Sequence, residues 1–139
     1  MNMKKNLLKL AVLFLAPAVM SLTNTAFAYD SINDYNQAMS QNKTIALEFS
    51  NDRCPTCKKA APVIAGVMPQ YASKVKFISL TTDVRDNVKI FYKYHVPAIP
   101  TIVLINTRTG ATKLVTHNVC VRADSLRMEL DNFLRTNPQ

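Results

Sequence analysis

Cys54-Pro55-Thr56-Cys57-Lys58-Lys59-Ala60-Ala61-Pro62 is the stretch on which the reading of this chain turns. Two thiols, two residues apart, sit where a helix is expected to begin. Pro55 suits the first helical turn, where its missing N–H leaves no bond unmade. Onward from there Cys57, Ala60, Ala61, Ile64, Met68 and Tyr71 recur at helical spacing, which predicts a helix over Pro55–Ala72 with one apolar face. Pro62 lies inside that helix and is expected to kink it. A helix N-terminus presents unpaired N–H groups and positive partial charge, and these stabilise a thiolate on Cys54. Arg53, Lys58 and Lys59 add cationic field. Because the thiolate is the nucleophile of disulfide exchange, Cys54 is expected to be the exposed attacker. Cys57, one turn in on the apolar face, is expected to be its buried resolver. Two blander readings compete. Zinc sites use the same spacing but need further ligands, and His95 and His117 are isolated, with no second C-x-x-C. A purely structural disulfide is weakened as a reading by its tiny loop, which removes little entropy from the unfolded chain.

Outward from this stretch, helix and strand patterns alternate. Ser31–Gln41 reads as a short helix that Asp30 or Ser31 caps, and Thr44–Phe49 as a strand. Val75–Leu80 is a second strand, and Val84–Tyr94 a helix carrying Val88, Phe91 and Tyr92 inward. Thr101–Asn106 is a third strand. Thr107-Arg108-Thr109-Gly110 reads as a hairpin turn into a fourth, Thr112–Thr116. Asp124 is placed to cap a last helix whose apolar face is Leu126, Leu130, Phe133 and Leu134. This order implies an α/β fold: a central mixed four-stranded sheet flanked by helices, ending in a β-hairpin and a C-terminal helix.

The chain has 139 residues, 48% hydrophobic and 19% charged, which suits one domain with a real core and excludes disorder. Residues 1–28 read as a secretory signal peptide: Lys4, Lys5 and Lys9, then the apolar run Leu10–Met20, then Ala26-Phe27-Ala28. The run falls short of the ~20 residues a spanning helix needs, and an uncleaved anchor is the competing reading. Cleavage is expected after Ala28. The remaining domain, 29–139, carries 14 basic and 9 acidic side chains, a net of +5. No basic stripe interleaves with aromatics, so nucleic-acid binding is not expected. Export implies an oxidising compartment, where disulfides persist. The lysine-led leader suits a periplasm, with full secretion the alternative.

The chain resembles thioredoxin. Cys54-Pro-Thr-Cys-Lys-Lys-Ala-Ala-Pro62 is similar to the family's C-x-x-C-K-x-x-x-P, and Val96-Pro-Ala-Ile-Pro-Thr101 to its G-I-P-T loop and following strand. The order of elements also matches, from about Ser31 to Leu134. The resemblance implies a thioredoxin fold in which Pro100 is a cis-proline packed against the C-x-x-C; the other reading is a trans proline that starts a strand. It implies that Ile99 and Thr101 line the substrate groove beside Pro100. Glu48, six residues before Cys54, matches the buried acid beneath the family's disulfide. Strand alternation places it on a face with Ala46 and Ser50. On an edge strand that face would be wet. On a central strand Glu48 is desolvated, with a raised pKa, and is able to take the proton from Cys57.

Departures from the family pattern shape the expected function. Arg53 and Ser50 stand where the family has tryptophans, so the groove is more basic and Arg53 joins the substrate-binding residues. Val119 stands at a family glycine and is expected to narrow the groove. Cys120 beside it is either a small buried hydrophobe or an accessible third thiol. Pro55-Thr56 lacks the histidine of strongly oxidising relatives, and Ile99 before the proline looks reductase-like. The resemblance thus implies an exported thiol–disulfide oxidoreductase acting through the Cys54–Cys57 pair on protein thiols and disulfides, more reductase than oxidase. Disulfide oxidase or isomerase is the alternative within the class, and a redox-inactive binding module the alternative outside it. No metal, nucleotide or flavin is implied. A membrane redox partner is expected to regenerate the dithiol, and the protein is expected to be a monomer.

Overall fold

The structure, a computed structural model, describes residues 28–139. The leader read over residues 1–28 lies, except for Ala28, outside the described residues. The sheet is built on β1 (Thr44–Ser50), all of whose residues are buried. It pairs in parallel with β2 (Val75–Thr81) and antiparallel with β3 (Thr101–Asn106), which pairs antiparallel with β4 (Thr112–Val115). The order is β2-β1-β3-β4, so β1 is central and the expected mixed four-stranded sheet is present. Central position explains its apolar run, Ile45 to Phe49 broken by Glu48 alone, since both faces are covered.

The two faces bury different sets. Ala46, Ile102 and Leu104 pack with Ala60 and Ile64 of α2 (Pro55–Val67) and Leu126 and Leu130 of α5 (Ala123–Thr136). Ile45, Leu47, Phe49 and Val103 pack under α1 (Ile32–Met39) and α3 (Arg85–Lys93). Ser31 caps α1 in a reciprocal capping box with Asp34.

Helix ends depart from expectation in ways that local chemistry explains. The helix expected to run to Ala72 ends at Val67 and continues as a 3-10 turn over Met68–Tyr71, because Pro69 lacks the N–H that the next α-helical bond needs. In α3 the inward residues include Asn87, whose Nδ2 donates to the Thr81 carbonyl at 2.9 Å. Tyr92, expected inward, is 70% exposed, since it sits about 100° around the helix from Phe91. At the end of α3, His95 adopts φ 52°, in the left-handed region. Its N–H reaches the Tyr92 carbonyl at 3.0 Å and the Val96 N–H reaches that of Phe91 at 3.2 Å, a Schellman closure. A short helix, α4 (His117–Cys120), fills what was expected to be loop. Asp124 lies in the first turn of α5, bonded to Arg127, and Arg122 is the N-cap residue.

Candidate active site

Cys54 and Cys57 meet as the sequence requires. They are joined by a disulfide with Cα atoms 5.2 Å apart. Cys54 is the N-cap residue of α2: its Sγ accepts from the Cys57 N–H at 3.1 Å, the bond a capping oxygen would make. Pro55 follows at the first helical position, so the helix start and the reactive sulfur are set by one short motif. Cys54 is half-exposed at the rim, while Cys57 is 2% exposed beneath it. This asymmetry is the geometry an attacker and a resolver need.

The loop before β3 faces the pair. The Ile99–Pro100 peptide is cis, and the Ile99 carbonyl oxygen lies 3.9 Å from Cys54 Sγ. Ile99 is half-buried and Pro100 buried. Thr101 does not line a groove. It is 1% exposed, and its hydroxyl donates inward to the Ala98 carbonyl at 2.8 Å, because it is already the first residue of β3. Arg53 stands exposed beside Cys54 and pairs with Asp83 Oδ1 at 2.5 Å, and Asn51 Nδ2 donates to the same oxygen at 2.7 Å. In so exposed a place the ion pair adds little stability. It directs the guanidinium onto Asp83.

Glu48 is 4% exposed on the central strand, on the α2 side of the sheet with Ala46. Opposite it in register on β2 is Ser79, whose hydroxyl donates to Glu48 Oε2 at 2.7 Å. Burial pushes the carboxyl above its ordinary value, and the Ser79 bond offsets that only in part. Glu48 and Cys57 line one pocket of about 580 Å³, together with Ser79, Lys58 and the chain segment Ala28–Tyr29.

Cys120 is 0% exposed, with its Sγ 3.4 Å from the Val115 carbonyl oxygen and its thiol pushed up to about 12 by burial. The accessible third thiol is therefore overturned, and the small buried hydrophobe stands. Val119 beside it packs against the same core. Ser79 and Tyr29 are parts of the site that the residues alone did not single out. Ser79 carried a signal, a polar residue between Ile78 and Leu80 in a buried strand, but its partner depends on strand register.

A family model described as Thioredoxin matches residues 26–131. A thioredoxin of Haemophilus influenzae is 37% identical over 71 residues, covering 50% of this chain and 64% of that protein. Protein disulfide-isomerase 1 of Dictyostelium discoideum is 26% identical over 110 residues, 77% of this chain and 30% of that protein. The chain thus spans less than two thirds of each of these relatives. Among solved structures, a thioredoxin from Thermus thermophilus superposes with a TM-score of 0.65 at 18% identity, covering 79% of this chain and 88% of that one. One from Trypanosoma brucei brucei gives 0.60 at 20% identity, with 76% and 87% covered. At such identities the likeness is one of fold.

Proposed function

The chain belongs to the thioredoxin family, and on that premise we propose that it is a thiol–disulfide oxidoreductase that reduces protein disulfides through Cys54 and Cys57. The observation that carries this reading is the half-exposed Cys54 sulfur, seated as N-cap acceptor of α2 and bonded to the buried Cys57. In the reduced protein the Cys54 thiolate attacks one sulfur of a substrate disulfide. That S–S bond breaks, one substrate thiolate leaves, and a mixed disulfide forms. Cys57 then gives its proton to the Glu48 carboxylate and attacks Cys54 Sγ. The second substrate thiolate departs, and the protein is left oxidised with two electrons transferred. Ile99 and the buried Pro100 position the substrate chain beside Cys54, and Arg53 favours acidic residues next to the target cysteine.

Regeneration needs an electron donor, which we place in the membrane of the compartment to which the leader directs the chain, a periplasm. Intact mass of the exported protein tests the address, with a cut after Ala28 expected. The activity is tested by insulin reduction with dithiol as donor: turnover is expected, with complete loss in Cys54→Ser. A protein that shows no dithiol-dependent turnover is a binding module. The similarity to a disulfide isomerase favours a second direction of exchange. The reduction potential separates the two. A reductase lies at about −250 mV or lower, and a disulfide donor at about −180 to −120 mV.

A further inference from the structure

We propose that Tyr29 is a positioning residue that lids the pocket shared by Glu48 and Cys57, and so governs how far both are shielded from water. The inference rests on the redox reading above. The pocket is lined from β1, β2, α2 and the loop Asn51–Asp52, and Tyr29, the first residue kept after the expected cut, lines it as well. The segment Tyr29–Asp30 is fixed at two places. Asp30 forms a two-way bond with Ser79: its N–H donates to the Ser79 carbonyl at 2.8 Å, and its Oδ2 accepts from the Ser79 N–H at 2.8 Å. Ser79 is the residue whose hydroxyl holds Glu48. One residue earlier, the half-buried Tyr29 donates its hydroxyl to Asp52 Oδ1 at 2.9 Å. Asp52 lies in the loop between β1 and Cys54. The phenol therefore ties the β2 edge to the loop that carries the attacking cysteine.

Two further facts support a lid over an idle tail. Burial and the Asp52 bond push the Tyr29 hydroxyl up to about 12, so it remains a proton donor through the neutral range. The phenol is also close enough to feel the charge on Glu48. The titratable groups around Glu48 are Cys57 and Lys58 from α2, Tyr29 and Asp30 from the segment, together with the Tyr29 α-amino group that the cut after Ala28 frees, Asp52 from the loop and Cys120 from α4. On the neighbouring strands, Ser79 and Ile102 stand opposite it, both uncharged. Replacing Tyr29 by a smaller or apolar side chain changes no charge, so an effect on Glu48 would report solvent access.

The test uses protein recovered from cells expressing the full chain, with its N-terminus verified by mass. Two readouts are taken: the midpoint of the Glu48 carboxyl titration by carbon-13 NMR, and the alkylation rate of Cys57 in a Cys54→Ser background. In Tyr29→Ala the Glu48 midpoint is expected to fall by about 0.5 unit or more, as desolvation is relieved. Cys57 alkylation is expected to rise about fivefold or more as access opens. Tyr29→Phe, which keeps the ring and loses only the Asp52 bond, is expected to move both the same way by less. A folded Tyr29→Ala with both readouts unchanged overturns the proposal. If that variant does not fold, Tyr29→Leu, which also removes the ring, takes its place, and unchanged readouts in it overturn the proposal. Neither readout requires turnover, so failure here is distinct from failure of insulin reduction.

Discussion

At Glu48 a carboxyl loses its hydration and receives in return one bond from a neutral hydroxyl, that of Ser79. Its folded-state pKa is raised above the ordinary 4.5, mainly by burial. Below 4.5 the group is protonated whether the chain is folded or not, and its effect on stability is at its most favourable. As pH rises through the folded value, the native state must ionise a buried acid and stability is lost. Glu48→Gln removes that loss. The variant is expected to match the parent near pH 4 and to melt progressively higher than it as pH rises towards neutrality, as read by thermal unfolding of the oxidised proteins across pH. The same variant should slow the resolving step, the proton acceptor being gone. A stability difference independent of pH would mean that Glu48 is ionised in a wet site. Arg53 belongs to the same scale: its place beside Cys54 was legible from the sequence, but its fixing by Asp83 was not, because that pairing spans thirty residues.

At the scale of elements, the end of α3 carries the loop that faces Cys54. His95 there holds a left-handed backbone in a Schellman closure that glycine usually makes. A side chain in that region costs about 1–2 kcal/mol, and glycine's freedom in the unfolded chain gives part of that back. His95→Gly is expected to stabilise the fold by about 0.5–1 kcal/mol in urea unfolding. His95→Val, β-branched, is expected to destabilise it by more than about 1 kcal/mol. A more stable valine variant would mean that His95 makes a contact that outweighs the backbone. The elements were largely readable because their signals are local: Pro55 at a helix start, apolar spacing along α2, Gly110 in the hairpin. What slipped was decided by single residues competing with a pattern. Pro69 stopped a helix whose apolar spacing ran on to Tyr71. Asn87 took an inward place, its Nδ2 satisfied by the Thr81 carbonyl and its Oδ1 left without a partner, and Tyr92 was left outside.

For the whole molecule, the strand order β2-β1-β3-β4 turns a linear motif into a site. It centres β1, which dries Glu48, and it brings the loop before β3 over the helix that follows β1. The fold was legible because two motifs stood at a compatible distance. Glu48 and Cys57 were legible with it, but the Ser79 hydroxyl that holds Glu48 was not, since register sets the two opposite and no local pattern encodes register. The lid was out of reach for the same reason, because Tyr29 meets Asp52 only once the sheet exists.

Cys120 carries a consequence for the order in which the molecule is made. Sealed among Ile102, Leu126 and Leu130, it is out of reach of oxidants in the native state. An unfolded chain has no such protection, and its three thiols then compete for partners. Packing must outrun oxidation. Reduced chain refolded in the presence of glutathione disulfide is expected to trap a fraction of molecules with Cys120 modified, a fraction that grows with oxidant. Chain folded first and oxidised afterwards is expected to trap none, as mass spectrometry of the alkylated products would read. Equal trapping by both routes would mean that the native core opens faster than it is credited with here. The odd cysteine is thus harmless in the finished protein and hazardous in its precursor, and timing alone separates the two.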